Sequence, residues 1–213
     1  MKKRIIRDLN YDIAKVMQLW RGLTVIYNNE IPVGISGSFE IRDDADILQG
    51  KFNIHVVIPD TYPLGFPTLY ETSGAIRRIA DRHIGKNGLC CVEITHKIIQ
   101  ISRHGITILD FFNQYVHRFF CWQILYEIEP QSVLQWGHGK DGILEYYMEL
   151  FRTSEVKTVK TLLLSFIENK RADKKTVCFC GSGKSFKKCH LRGFEELATL
   201  GEERIRQDII LFA

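Results

Sequence analysis

The sequence shows no uncharged hydrophobic run, no visible secretory-signal pattern, no internal repeat, no low-complexity tract and no strong charge of either sign. Each absence removes a class of function. The most apolar long stretch, residues 106–128, carries Asp110, His117, Arg118 and Glu127, and ionisable side chains at bilayer depth are too costly for a comfortable span. At the N-terminus, Met-Lys-Lys-Arg runs into Ile-Ile-Arg-Asp rather than into an apolar segment, so no signal-peptide pattern is present. The expected setting is cytoplasmic, with no membrane partner. The 29 Lys and Arg exceed the 25 Asp and Glu by only four charges. That excess, with no stripe of interleaved basic and aromatic residues, does not mark a nucleic-acid binder. Basic residues do gather at 2–4 and 170–188, where solvated charge is the default reading.

The six cysteines also lack the spread of a disulfide scaffold. Cys90 and Cys91 are adjacent, Cys121 stands alone, and Cys178, Cys180 and Cys189 crowd together with His190. This distribution suits a reducing compartment, one metal site and one reactive thiol.

What is present is ample core material: the chain is 45% hydrophobic, with 13 Phe, 8 Tyr and 3 Trp. Ile6, Leu9, Ile13, Val16 and Trp20 recur at helical spacing. Strands are expected at 23–27, 35–42, 51–59 and 68–72, rich in β-branched residues and alternating in polarity. Residues 81–104 show no clean period and hold Gly85, Asn87-Gly88 and the paired cysteines, which reads as loop with short extended pieces. Ile108, Phe111, Phe112, Tyr115, Phe119, Trp122 and Tyr126 mark one long helix, with two more at 142–151 and 155–168 and a last one near 194–211. A helix, an antiparallel meander and C-terminal helices make an α+β fold. The expected division is a domain over 1–169, a charged linker over 170–176 and a small module over 177–213.

Residues 178–190 read CFCGSGKSFKKCH. Three thiolates and an imidazole at Cys178, Cys180, Cys189 and His190 form a closed tetrahedral shell suited to structural zinc. Gly181 and Gly183 let the backbone turn around the ion, and Lys184, Lys187 and Lys188 offset the net negative charge of the shell. The string resembles the SEC-C motif, a short zinc-binding tail on bacterial secretion ATPases and unrelated proteins. The resemblance implies a protein-docking role.

Two other fragments, YPLGFP at 62–67 and DRHIGKNGLCCVEI at 81–94, resemble the ubiquitin-conjugating enzymes. That family has Tyr-Pro-x-x-Pro-Pro after its third strand, then His-Pro-Asn-Ile, then Asn-Gly-x-Ile-Cys-Leu-Asp around its nucleophile. Asn87-Gly88 match directly, Cys91 falls on the nucleophile and Cys90 on a buried Ile; Phe66 replaces a Pro, and His83 replaces the Asn. The resemblance extends over about residues 5–168 and implies a UBC-like fold. It further implies that Cys91 carries a protein's C-terminal carboxyl as a thioester and passes it to an amine, since a thiol is both nucleophile and leaving group. His83 would donate to the oxyanion or accept the amine's proton, or make a purely structural hydrogen bond. The implied partners are the conjugated protein and an activating enzyme. Bacterial relatives occur in anti-phage operons signalling through cyclic oligonucleotides, where they conjugate the C-terminus of a nucleotidyltransferase, some without a separate activating enzyme. A catalytically inactive UBC-fold adaptor is the alternative, and a zinc-ribbon-like nucleic-acid binder is a third.

Of the remaining candidates, His96 and His104 are expected to be partly exposed loop residues, Glu93 a solvated carboxylate and Cys121 core. Residues 136–139 (Trp-Gly-His-Gly) read as a turn. In the first helix, Lys2, Lys3, Arg4 and Arg7 lie where the resembled family meets its activating enzyme.

Overall fold

A computed structural model describes residues 2–130, 137–169 and 173–212, with side chains described from Leu9 onward. The basic side chains at 2–7, Trp136 and residues 170–172 of the expected linker lie outside the described residues. The chain forms two compact units, one of residues 1–93 and 101–134, the other of residues 94–100 and 135–213.

The first unit opens with α1 (Lys2–Leu19), whose buried stripe is Leu9, Ile13 and Val16. Four strands follow as an antiparallel meander in the order β1 (Leu23–Asn28), β2 (Ile31–Arg42), β3 (Leu48–Val57), β4 (Thr68–Glu71). Alternation dictates the faces: Ile35, Phe39 and Ile41 on β2, Ile54 and Val56 on β3 and Leu69 on β4 are all buried. The first hairpin starts earlier than its sequence suggests. Asn29 and Glu30 both take left-handed backbone (φ 45° and 65°) between the paired Asn28 and Ile31, the geometry of a two-residue primed turn without the usual glycine.

Further along the chain, α3 (Ile108–Phe111), a π-helical turn (Phe112–Val116) and α4 (His117–Ile128) run on as one rod. The Thr107 hydroxyl caps it, accepting from Asp110 N–H at 3.0 Å. Its Phe111, Phe112, Val116 and Phe120 complete the core against α1 and the sheet, with Phe120 stacked on Phe52 at 4.4 Å between centroids.

The second unit contains α5 (Lys140–Phe151), α6 (Val156–Glu168), the cysteine-rich segment, α7 (Leu191–Leu200) and α8 (Glu202–Leu211). The division differs from the expected boundary at 169. Tyr147, Phe151, Leu162 and Leu163 share one apolar cluster with Phe186, Phe194, Leu197 and Ile205, so α5 and α6 bury their stripes with the module. The last helix is two helices, because Gly201 at φ 89° ends the first.

Two further expectations are corrected. Residues 95–104 are α2 (Thr95–His104), not loop, and its residues up to Gln100 count with the second unit, the rest with the first. His96, expected to be partly exposed, is fully buried, while His104 is exposed. The His96 ring lies 2.6 Å from Asp208 Oδ2, and the Tyr147 hydroxyl donates to the same oxygen at 2.6 Å. Burial opposes ionisation of Asp208, but the hydrogen bonds from His96 and Tyr147 outweigh it and lower the carboxyl's pKa. The stability Asp208 contributes is therefore complete above its unfolded value of about 4 and is lost as pH falls through the lower folded value. Replacing Asp208 with Ala strands two buried groups and is expected to cost about 3 kcal/mol at pH 7. Urea unfolding of both proteins checks this, and the gap should shrink toward pH 3. Among the described residues no helix is long and apolar enough to cross a membrane.

Candidate functional site

The cysteine-rich segment folds on very little backbone structure. Val177 and Ser185 form an isolated bridge, Cys178 N–H donates to Lys184 at 2.8 Å, and Phe186 N–H donates to Thr176 at 2.8 Å. Gly181 and Gly183 turn the knuckle between them at φ 78° and 73°, a conformation glycine adopts without steric cost. A short 3₁₀ turn at Phe186–Lys188 then brings Cys189 and His190 back to the first two cysteines, immediately before α7.

The four ligand atoms lie within 4.8 Å of one another. Cys180 Sγ and Cys189 Sγ are 3.6 Å apart, and His190 Nδ1 is 3.2 Å from Cys178 Sγ and 3.4 Å from Cys189 Sγ. A tetrahedron built on Zn–S bonds of about 2.3 Å and Zn–N bonds of about 2.0 Å has edges of roughly 3.5–3.8 Å, so the donor set is compatible with zinc. Orientation comes from outside the shell: His190 Nε2 sits 2.9 Å from the Phe151 carbonyl. That contact places the proton on Nε2 and leaves the Nδ1 lone pair for the ion. Gly193 makes the approach possible, since a side chain there would meet the Phe151 ring at 3.1 Å. Desolvation works against ionising Cys180, but hydrogen bonds from Ser182 prevail and bring its thiol to about 6, whereas burial pushes the neighbouring Cys178 thiol up to about 12, a proton that metal binding would have to release.

The paired cysteines lie in the first unit, on a small hairpin that extends the sheet beyond β4. Leu89 bridges Tyr70, Cys90 N–H donates to the Leu69 carbonyl at 2.9 Å, and Ile84 bridges Cys90. The turn at 85–88 requires Gly88: its φ is 87°, and a Cβ there would lie 2.2 Å from the Glu71 carbonyl oxygen. Successive side chains on an extended segment point to opposite faces. Cys90 accordingly enters the core at 5% exposure, while Cys91 is exposed. Burial pushes the Cys90 thiol up to about 12 and also raises that of Cys91.

His83 is half-buried, with φ 50°, and its ring meets Trp122 edge-on at 5.8 Å. A non-glycine residue in this region costs on the order of 1–2 kcal/mol. The Cys91 N–H donates to the His83 carbonyl at 2.8 Å, so the backbone brings these two residues together. Cys121 is half-buried rather than fully core, with Sγ 3.5 Å from His117 Nδ1 on the preceding turn. Sequence reasoning missed the buried Arg82, which bonds to Gln123 across 41 positions. No local pattern signals so distant a pair.

The raised Cys90 pKa carries a pH signature. Between the ordinary thiol value and about 12 the folded state holds a proton that the unfolded state releases, so stability falls as pH rises through that window. A Cys90→Val chain is expected to lose this alkaline slope while keeping its neutral-pH stability within about 1 kcal/mol, as denaturant titrations from pH 7 to 10.5 would reveal.

Comparison with known families agrees with the metal geometry. Residues 177–192 match the SEC-C motif, which covers the whole Cys178, Cys180, Cys189, His190 cluster. No curated protein matches the chain. What the sequence and its neighbours in space identify, then, is a SEC-C motif holding a candidate zinc site.

Proposed function

We propose that the protein is a ubiquitin-conjugating-like acyl carrier: Cys91 receives the C-terminal carboxyl of a protein as a thioester and transfers it to an amine. The observation that carries this reading is the exposed Cys91 beside a buried Cys90, on a hairpin whose second arm is bonded to β4. In the forward step the Cys91 sulfur attacks an activated carboxyl, the activating group leaves, and the thiol proton passes to solvent. In transfer, an amine attacks the thioester carbon, the C–S bond breaks, and the thiol is restored as the amine gives up its proton. His83, joined to Cys91 through its carbonyl, is the candidate for stabilising the tetrahedral intermediate. The metal is zinc in this reading. Its four protein ligands leave no open position, so it organises α7 and serves docking rather than chemistry. The conjugated protein is proposed to be a nucleotidyltransferase of anti-phage defence.

One observation favours a second reading, a non-catalytic adaptor: burial raises the Cys91 thiol instead of activating it. Intact-mass measurement and non-reducing gels of protein from its native host separate the two. Wild type and Cys90→Ala are expected to carry a large adduct released by thiol, and Cys91→Ala none. Absence of any adduct, with neighbouring gene products and ATP supplied, would establish the adaptor.

A further inference from the structure

Arg82 is 5% exposed and Gln123 1% exposed, and they bond reciprocally. Arg82 Nε donates to Gln123 Oε1 at 2.7 Å, Arg82 Nη2 donates to the Gln123 carbonyl at 3.2 Å, and Gln123 Nε2 donates to the Arg82 carbonyl at 2.9 Å. The guanidinium lies over the Tyr126 ring at 4.5 Å, and its outer nitrogen pairs with Glu127. Only a planar fork makes this set of contacts at once. Such a buried network gains little stability over an apolar packing of equal volume; what it supplies is one register and one orientation.

Its position gives that specificity a target. The carbonyl gripped by Gln123 is the one immediately before His83, the left-handed residue whose own carbonyl receives the Cys91 N–H. Backbone held in a sparsely populated conformation persists where its surroundings over-determine it. Here α4 fixes residue 82 on one side and Cys91 fixes residue 83 on the other.

We infer that Arg82 and Gln123 are positioning residues for the Cys91 site, acting through the backbone of His83. The kinetic part of this inference rests on the proposed acyl transfer; the structural part does not. Gln123→Met removes both side-chain bonds at nearly constant volume. Gln123→Glu keeps an acceptor for Arg82 and removes only the donor to the Arg82 carbonyl, and it decides the matter if the Met variant does not fold.

Amide hydrogen exchange and single-turnover transfer from the Cys91 adduct test the inference in the full chain. Exchange at the Cys91 N–H is expected to rise about tenfold in either variant, the loss of roughly one buried hydrogen bond, with the β2–β3 ladder amides unchanged. Transfer is expected to slow about tenfold at saturating amine, with the amine KM unchanged. An unchanged Cys91 amide, or a rise shared equally by the ladder, would overturn the clamp, as would a loosened amide with an unaltered transfer rate. If wild type forms no adduct, the acyl-transfer reading fails while the exchange result still decides the clamp.

Discussion

A Cys189→Ser chain is expected to bind well under a tenth of the metal that wild type holds, and to lose the ordered packing of α7. The reasoning starts from how little regular structure holds residues 173–190 together: one isolated bridge, a handful of local turn bonds and a three-residue 3₁₀ turn, with Phe179 and Phe186 as the apolar anchors. A structural zinc site contributes an apparent 10–16 kcal/mol or so in small domains at neutral pH, far more than that scaffold supplies. Cys189 stands between the cysteine knuckle and α7, 3.6 Å from Cys180 Sγ and next to His190. A hydroxyl there cannot replace a thiolate. Phe186 and Phe194, whose rings lie 4.8 Å apart, would then lose their fixed relation to Phe151 and Leu163. Metal content by mass spectrometry, with protease mapping of 173–200 before and after chelation, reads the effect. Full metal occupancy in the variant, or protease resistance that survives chelation, would contradict it.

Alkylation with iodoacetamide at pH 8 is expected to modify Cys91 more than a hundredfold faster than Cys90, because reactivity follows both access and thiolate fraction. Cys90 fails on both counts. It is 5% exposed, and a thiol at about 12 is ionised to about one part in ten thousand at that pH. Cys91 is exposed, though burial raises its thiol too, so it should label more slowly than free cysteine. A resident strong base is not needed for acyl transfer to an amine, and a thiol that is reachable but not highly ionised is protected from casual oxidation. Peptide mapping over a time course gives the ratio; comparable labelling of the two cysteines would mean that the hairpin does not hold them on opposite faces.

The core strands and the Cys/His cluster were legible because their signals are local. Phe39 and Ile41 alternate within one strand, and Cys178, Cys180, Cys189 and His190 fall within 13 consecutive residues. That one of Cys90 and Cys91 is buried and the other exposed was equally local, since neighbours on an extended segment face opposite ways; which of them is buried came from the resemblance. Helix α2 was not legible: Thr95, Ile98, Ile99 and Ile101 are β-branched, poor helix formers on their own. Their helical state depends on tertiary partners such as Asp208, 112 positions away from His96. The same distance hid the Arg82–Gln123 clamp. Sequence also drew the module's boundary at a charged stretch, where composition changes, although the apolar contacts of Tyr147 and Phe151 run past it.

The Phe151 carbonyl that orients His190 belongs to the last residue of α5, and this makes the metal motif difficult to transplant. A short tail that carries all its own determinants can be cut from one protein and fused to another. Here the imidazole takes its tautomer from a helix beginning 50 positions earlier in the chain, and Gly193 is shaped to that helix's final ring. Excision at residue 176 would deprive the ligand set of its aligning acceptor and bare the aromatic face of α5 to solvent. In this chain the motif has become an inseparable part of its host.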